Sequence, residues 1–167
     1  MSGPAGSGDE VAVAIADDGW LSAVPDAAAL CARAARAALR QAGEAGEVSI
    51  VLADDGRVAE LNARYRGKEG ATNVLAFPMA DAGAAAAGAP RLLGDVVLAR
   101  ETVVREARAQ AKDVADHMAH LVAHGVLHLV GHDHHASAAA EAMEALETAA
   151  LASLGIADPY RLPRDVA

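Results

Sequence analysis

A chain of 167 residues fits one domain, long enough to bury most of the apolar surface it would expose when unfolded. Its net charge of −9 counts against overall attraction to a polyanion, and its one Trp, two Tyr and one Phe leave little material for stacking bases. Alanine inflates the 53% hydrophobic content, so the core must be built from Val, Leu, Ala and Ile.

Residues 1–10 are rich in Gly, Ser and Pro and acidic where a secretory signal would be basic and then apolar, so they read as a disordered leader before a single domain over 11–167. Residues 11–16 alternate Val, Ala and Ile as a strand, and Asp17-Asp18-Gly19 reads as a turn. Pro25-Asp26 opens a helix through about Ala42, ended by Gly43. The lone Cys31 falls in the Ala/Leu pattern of that helix and reads as an inert buried thiol, which fits a reducing cytoplasm. Residues 48–53 form a second strand, and Asp54-Asp55 caps a short helix over about 56–64.

A third strand spans 73–77 and stops at Pro78; residues 82–89 are a low-complexity Ala/Gly loop. Residues 92–99 make a fourth strand, in which Asp95 reads as turn-forming rather than catalytic. Helices follow over about 101–111, 114–130 and 137–154, the last stopped by Gly155. This order predicts an α+β fold with a mixed sheet of about four strands packed with helices. No stretch approaches a membrane span.

The helix over 114–130 carries the chemistry. Residues four apart share a helix face, so His124 and His128 present their imidazoles side by side. Gly131 lets the helix stop in a left-handed turn, after which His134 can swing back as a third ligand. The spacing is that of the metzincin zinc proteases, which makes this a metzincin-like helix, but Gly125 stands where those enzymes carry their glutamate base. Three neutral imidazoles and an open fourth position favour one Zn2+ per chain, with its charge uncompensated and suited to an anionic substrate such as a phosphodiester.

Asp113, His117, His120, His124 and His128 fall in one stripe of an otherwise apolar helix, which predicts that the stripe lines an opening. His117, about 10 Å along the helix from His124, is too far to share its metal and reads as a solvated histidine. Arg57, Arg64, Arg66 and Lys68 form one basic group and Arg100, Arg105, Arg108 and Lys112 another, while Glu141, Glu144 and Glu147 concentrate acid elsewhere. A local positive groove is therefore compatible with the acidic total.

Three further stretches accompany the histidine helix. Leu61-Asn62-Ala63-Arg64-Tyr65-Arg66-Gly67-Lys68 leads into Thr72-Asn73-Val74-Leu75-Ala76-Phe77-Pro78; Leu93-Gly94-Asp95-Val96-Val97-Leu98 comes next; Leu154-Gly155-Ile156-Ala157-Asp158-Pro159-Tyr160 comes last. In this order they resemble the YbeY family of bacterial endoribonucleases and rRNA maturation factors.

The resemblance implies a cytoplasmic, metal-dependent, single-strand-specific endoribonuclease acting in 16S rRNA 3′-end maturation and ribosome quality control. Its implied partners are pre-16S rRNA and the small ribosomal subunit with its proteins. It implies zinc on His124, His128 and His134, and an activity that needs Arg66, whose guanidinium can grip phosphate oxygens. Asp133 reads as a partner that orients a ligand imidazole, or as the general base. Lys68, Thr72 and Asn73 are expected substrate contacts, with strand-entry packing an equal account of the last two.

Two positions depart from the family pattern: Ala71 replaces a proline and His132 a frequent tyrosine, and His132 and His135 both neighbour the expected ligand. Two other functions use the same histidines. One is a metalloprotease, disfavoured by Gly125; the other is a ribosome-assembly factor that binds RNA or a basic ribosomal protein around a structural zinc.

Overall fold

Two central strands, β2 (Glu47–Ala53) and β4 (Leu92–Ala99), are flanked by β1 (Val11–Ile15) on one edge and β3 (Val74–Pro78) on the other. The computed structural model describes residues 10–79, 91–133 and 135–160; residues 1–9 of the expected leader, the Ala/Gly loop and His134 lie outside the described residues. β1, β2 and β4 run parallel, and β3 runs antiparallel to β4 with Val74 opposite Leu98 and Phe77 opposite Asp95. The expected α+β class and mixed sheet of four strands are both observed.

Six helices accompany the sheet among the described residues: α1 (Gly19–Ala23), α2 (Ala27–Ala42), α3 (Asp55–Arg66), α4 (Arg100–Ala109), α5 (Val114–Leu129) and α6 (Ser137–Ala152). Period-two alternation in β4 sorts the core into two faces. Val96 and Leu98 join the large cluster built from α2, α5 and α6, whereas Val97 and Ala99 join Leu75 and Val58 beneath α3. α5 packs against α2, α6 and the β3–β4 side of the sheet, so the histidine helix is held on three sides. Among the described residues no helix is long and apolar enough to cross a membrane.

The turn expected at Asp17-Asp18-Gly19 continues into α1, a helix of five residues too short to show a period in the sequence. Trp20 of α1 is fully buried and its indole N–H donates to the Ala53 carbonyl at 2.8 Å, which pins the segment to the end of β2. The turn-forming reading of Asp95 is also corrected. Asp95 lies within β4, in register with Ser49 and Phe77, and the unusual residue is its neighbour Gly94. Gly94 has φ +143°, and a Cβ there would stand 2.2 Å from the Phe77 carbonyl oxygen, so close approach of β3 requires glycine.

The helix ends that frame the site follow their caps. The Asp54 side chain accepts the Arg57 backbone N–H at 2.8 Å and starts α3, and Gly67 at φ 66° ends it just after Arg66, two residues later than expected. Asp113 accepts the Ala115 N–H at 2.9 Å at the head of α5, and Gly131 takes φ 102° beyond its end, as the sequence predicts.

Candidate metal centre

Helical spacing brings His120 and His124 of α5 to the same buried carboxylate, Glu147 of α6. Glu147 sits on the inward face of α6 with Met143, Ala150 and Leu151 and is 1% exposed. Its Oε2 lies 2.7 Å from His124 Nδ1 and its Oε1 2.8 Å from His120 Nε2, and the Tyr160 hydroxyl donates to Oε1. Burial pushes the Glu147 carboxyl up, but hydrogen bonds from His120, His124 and Tyr160 outweigh that penalty and bring it down to about 2. Burial, followed by the bond to Glu147, raises the Tyr160 phenol, so the hydroxyl keeps its proton and donates it.

An ionised carboxylate only accepts, so His120 donates from Nε2 and His124 from Nδ1. With Nδ1 committed to Glu147, the nitrogen of His124 that can coordinate a cation is Nε2. A carboxylate behind an imidazole is the arrangement found at metal-ligating histidines, and an imidazole nitrogen is a donor that suits zinc. His128, one turn further along the stripe, is half-buried. Among the described residues no three of His, Cys, Asp and Glu are arranged so that they could hold a metal ion. The third expected ligand, His134, lies outside them.

The rest of the stripe differs from expectation. His117 is buried, not solvated: it is 4% exposed, with Nε2 2.9 Å from Glu106 Oε1. Burial lowers its pKa and the Glu106 contact opposes that effect, which favours a neutral imidazole. The expected opening takes the form of two hollows. One of about 480 Å³ is lined by residues including Lys112, Asp113, Asp116, His117 and His120. One of about 270 Å³ is lined by residues including His124, Met143, Glu147 and Tyr160.

Asp133, expected to orient an imidazole or act as base, uses Oδ1 to accept the His135 backbone N–H at 3.1 Å. The carboxylate on a motif histidine is Glu147, which belongs to the site and not to an acidic surface elsewhere. One signal was available: Glu147 falls four residues after Met143 and before Ala150 and Leu151, a charge on the apolar face of a helix. His132 donates its backbone N–H to the Leu127 carbonyl at 3.1 Å and is half-buried.

The basic residues cluster at one end of α3. Arg66 occupies its last turn and is exposed, as is Lys68 beyond the Gly67 cap. Tyr65, 62% exposed, meets Phe77 edge to face with centroids 5.7 Å apart. Of the other cations in the two basic groups, Arg57 is paired with Glu60 and Arg100 with Asp17, whereas Arg105 donates to the Thr102 hydroxyl at 3.2 Å and Lys112 to the Pro159 carbonyl at 2.7 Å. Thr72 is half-buried. Asn73 donates its side-chain amide to Glu106 at 3.0 Å, on the carboxylate oxygen that His117 also approaches. That contact ties the entry of β3 to α4 and α5 and favours the packing account of Asn73.

Against known proteins, the profile of the family described as Endoribonuclease YbeY matches residues 19–155. A protein from Azorhizobium caulinodans named Endoribonuclease YbeY is 51% identical over 160 residues, spanning 93% of this chain and 99% of its own length. One of the same name from Parvibaculum lavamentivorans is 53% identical over 160 residues, spanning 92% of this chain and 86% of its own. The solution structure of TM1509 from Thermotoga maritima superposes with a TM-score of 0.55 at 20% identity, spanning 90% of this chain and 99% of that one, which is a likeness of fold.

Proposed function

The chain belongs to the family of endoribonuclease YbeY, and from that membership and the helix-borne histidines we propose that it is a zinc-dependent, single-strand-specific endoribonuclease. Its proposed substrate is the 3′ region of precursor 16S rRNA, bound in association with the small ribosomal subunit and its proteins in the cytoplasm, with a part in ribosome quality control. The observation that carries the reading is the 2.7 Å contact of His124 Nδ1 with buried Glu147, because it turns Nε2 into the coordinating nitrogen.

In this reading His124, His128 and His134 hold one Zn2+. A zinc ion bound there supplies Lewis acidity towards a phosphoryl oxygen or a water molecule. Arg66 grips the phosphate through its guanidinium, with Lys68 adding charge on the approach of a single strand and Thr72 offering a hydroxyl. Asp133, which precedes His134 in the chain, is the proposed partner that orients a ligand imidazole or accepts a proton. The protease alternative loses ground: a Cβ on Gly125 would stand 2.8 Å from Val96 Cγ1, so the position of the protease glutamate faces the sheet.

The test is cleavage of a labelled single-stranded rRNA fragment by purified protein of measured zinc content, beside Arg66→Ala and His128→Ala. The expected result is about one zinc per wild-type chain, cleavage by the wild type alone, and metal loss only in His128→Ala. Equal trace cleavage by all three proteins would sink the nuclease reading.

A further inference from the structure

We propose that Glu147 is the positioning residue of this centre: it holds His124 as the Nδ1–H tautomer and so selects Nε2 as the nitrogen offered to the metal. The inference rests on the metal reading above. It adds a residue that lies outside the histidine motif, on a different helix.

The geometry leaves Glu147 little freedom. Its carboxylate is 1% exposed, and burying an ionised carboxylate without partners is strongly unfavourable. Both oxygens are engaged from two other elements: Oε2 by His124 Nδ1 at 2.7 Å, and Oε1 by His120 Nε2 at 2.8 Å together with the Tyr160 hydroxyl. An acceptor fixed in this way dictates which nitrogen of each ring carries hydrogen. A neutral histidine side chain in water prefers hydrogen on Nε2, the arrangement that would block coordination through that atom, so the carboxylate reverses the ring's own preference.

His120 and Tyr160 act one step further back. The rings stand edge to face with centroids 5.4 Å apart, and both hydrogen-bond Oε1, which prevents the carboxylate from rotating away from His124. The stretch after α6 thereby gains a purpose. Lys112 Nζ donates to the Pro159 carbonyl at 2.7 Å, the Asp158 side chain accepts the Tyr160 N–H at 2.9 Å, and the phenol is delivered to the back of the centre.

Two measurements on the full chain test this. Long-range proton–nitrogen NMR of metal-free wild type should show His124 with hydrogen on Nδ1, and Glu147→Gln should lose that preference. Competition with a chromogenic chelator should show zinc bound about 10–100-fold more weakly by Glu147→Gln, the usual cost of removing such a partner. Tyr160→Phe, which keeps the carboxylate, should retain the tautomer and shift affinity far less. The Nε2–H tautomer at His124 in the wild type overturns the proposal without recourse to any variant, so a Glu147→Gln protein that fails to fold does not shield it. A wild type that binds zinc while Glu147→Gln binds it equally overturns the role of Glu147 alone. A wild type that binds no zinc overturns the metal reading and this role together.

Discussion

Gly125 rests against Val96: a Cβ built on the glycine would stand 2.8 Å from the valine Cγ1 and 3.2 Å from Cγ2. The residue after the first motif histidine is therefore a packing glycine that lets α5 lie close on β4. Gly125→Ala should destabilise the fold by about 1–3 kcal/mol through overpacking, partly offset by the better helix propensity of alanine. Gly125→Glu should fail to fold instead of gaining peptidase activity. Urea unfolding of the alanine variant checks the first; a stability equal to wild type would mean that the sheet yields to the methyl group.

Arg66 stands exposed in the last turn of α3, and its proposed work is on phosphate, not on the fold. Arg66→Ala should leave the unfolding free energy within about 0.5 kcal/mol of wild type in urea, as surface substitutions do. Its cleavage of single-stranded RNA should fall by about 10²–10³, the range for losing one donor to a developing anion. Arg66→Lys should recover only part of the rate, because an ammonium cannot make the paired bonds of a guanidinium. Full activity in the lysine variant would reduce Arg66 to a point charge.

Cys31 is fully buried in α2, its sulfur 3.8 Å from that of Met118, and burial alone pushes the thiol up to about 12. At pH 8 the native thiol should stay protonated and inert to a disulfide-exchange reagent, while the urea-unfolded chain reacts at the rate of a free cysteine. The rate at low urea then reports opening of the α2–α5 contact. Rapid labelling of native protein would contradict the burial.

Element boundaries were legible in the sequence wherever a period or a cap announced them. α5 and its Gly131 stop, the Gly43 end of α2 and the alternation of β1 all follow from side-chain spacing and glycine conformation. Three features were not legible, and for three physical reasons. α1 is shorter than two helical turns, so it has no period to detect. Gly94 is required by the carbonyl of a strand that is distant in sequence, and no local pattern encodes that contact. Glu147 reads as surface acid because charge normally marks the solvent side of a helix; its burial is repaid by donors from α5 and from the stretch after α6, which only the tertiary fold brings together.

The same kind of long-range pairing makes the stability of the β1–α1 turn depend on pH. Arg100, at the start of α4, hydrogen-bonds Asp17 and holds its carboxyl below the usual range, with the Gly19 N–H helping at 3.0 Å and burial opposing. Gly19 makes room for this pair, since a Cβ there would meet the guanidinium at 2.4 Å from Nε. A carboxyl depressed in the folded state contributes stability that is complete above its unfolded pKa, about 3.9, and is lost as the pH falls through the lower folded value. Asp17→Asn should therefore be less stable than wild type at pH 7, by about 0.5–1 kcal/mol for a partly exposed pair. That gap should begin to close below about pH 5 and vanish once the wild-type carboxyl is protonated. Urea unfolding of both proteins from pH 7 down to the acid limit of the fold reads the difference directly. A gap that stays constant across the range would mean that Asp17 acts through its shape and hydrogen bonds, with no contribution from its charge.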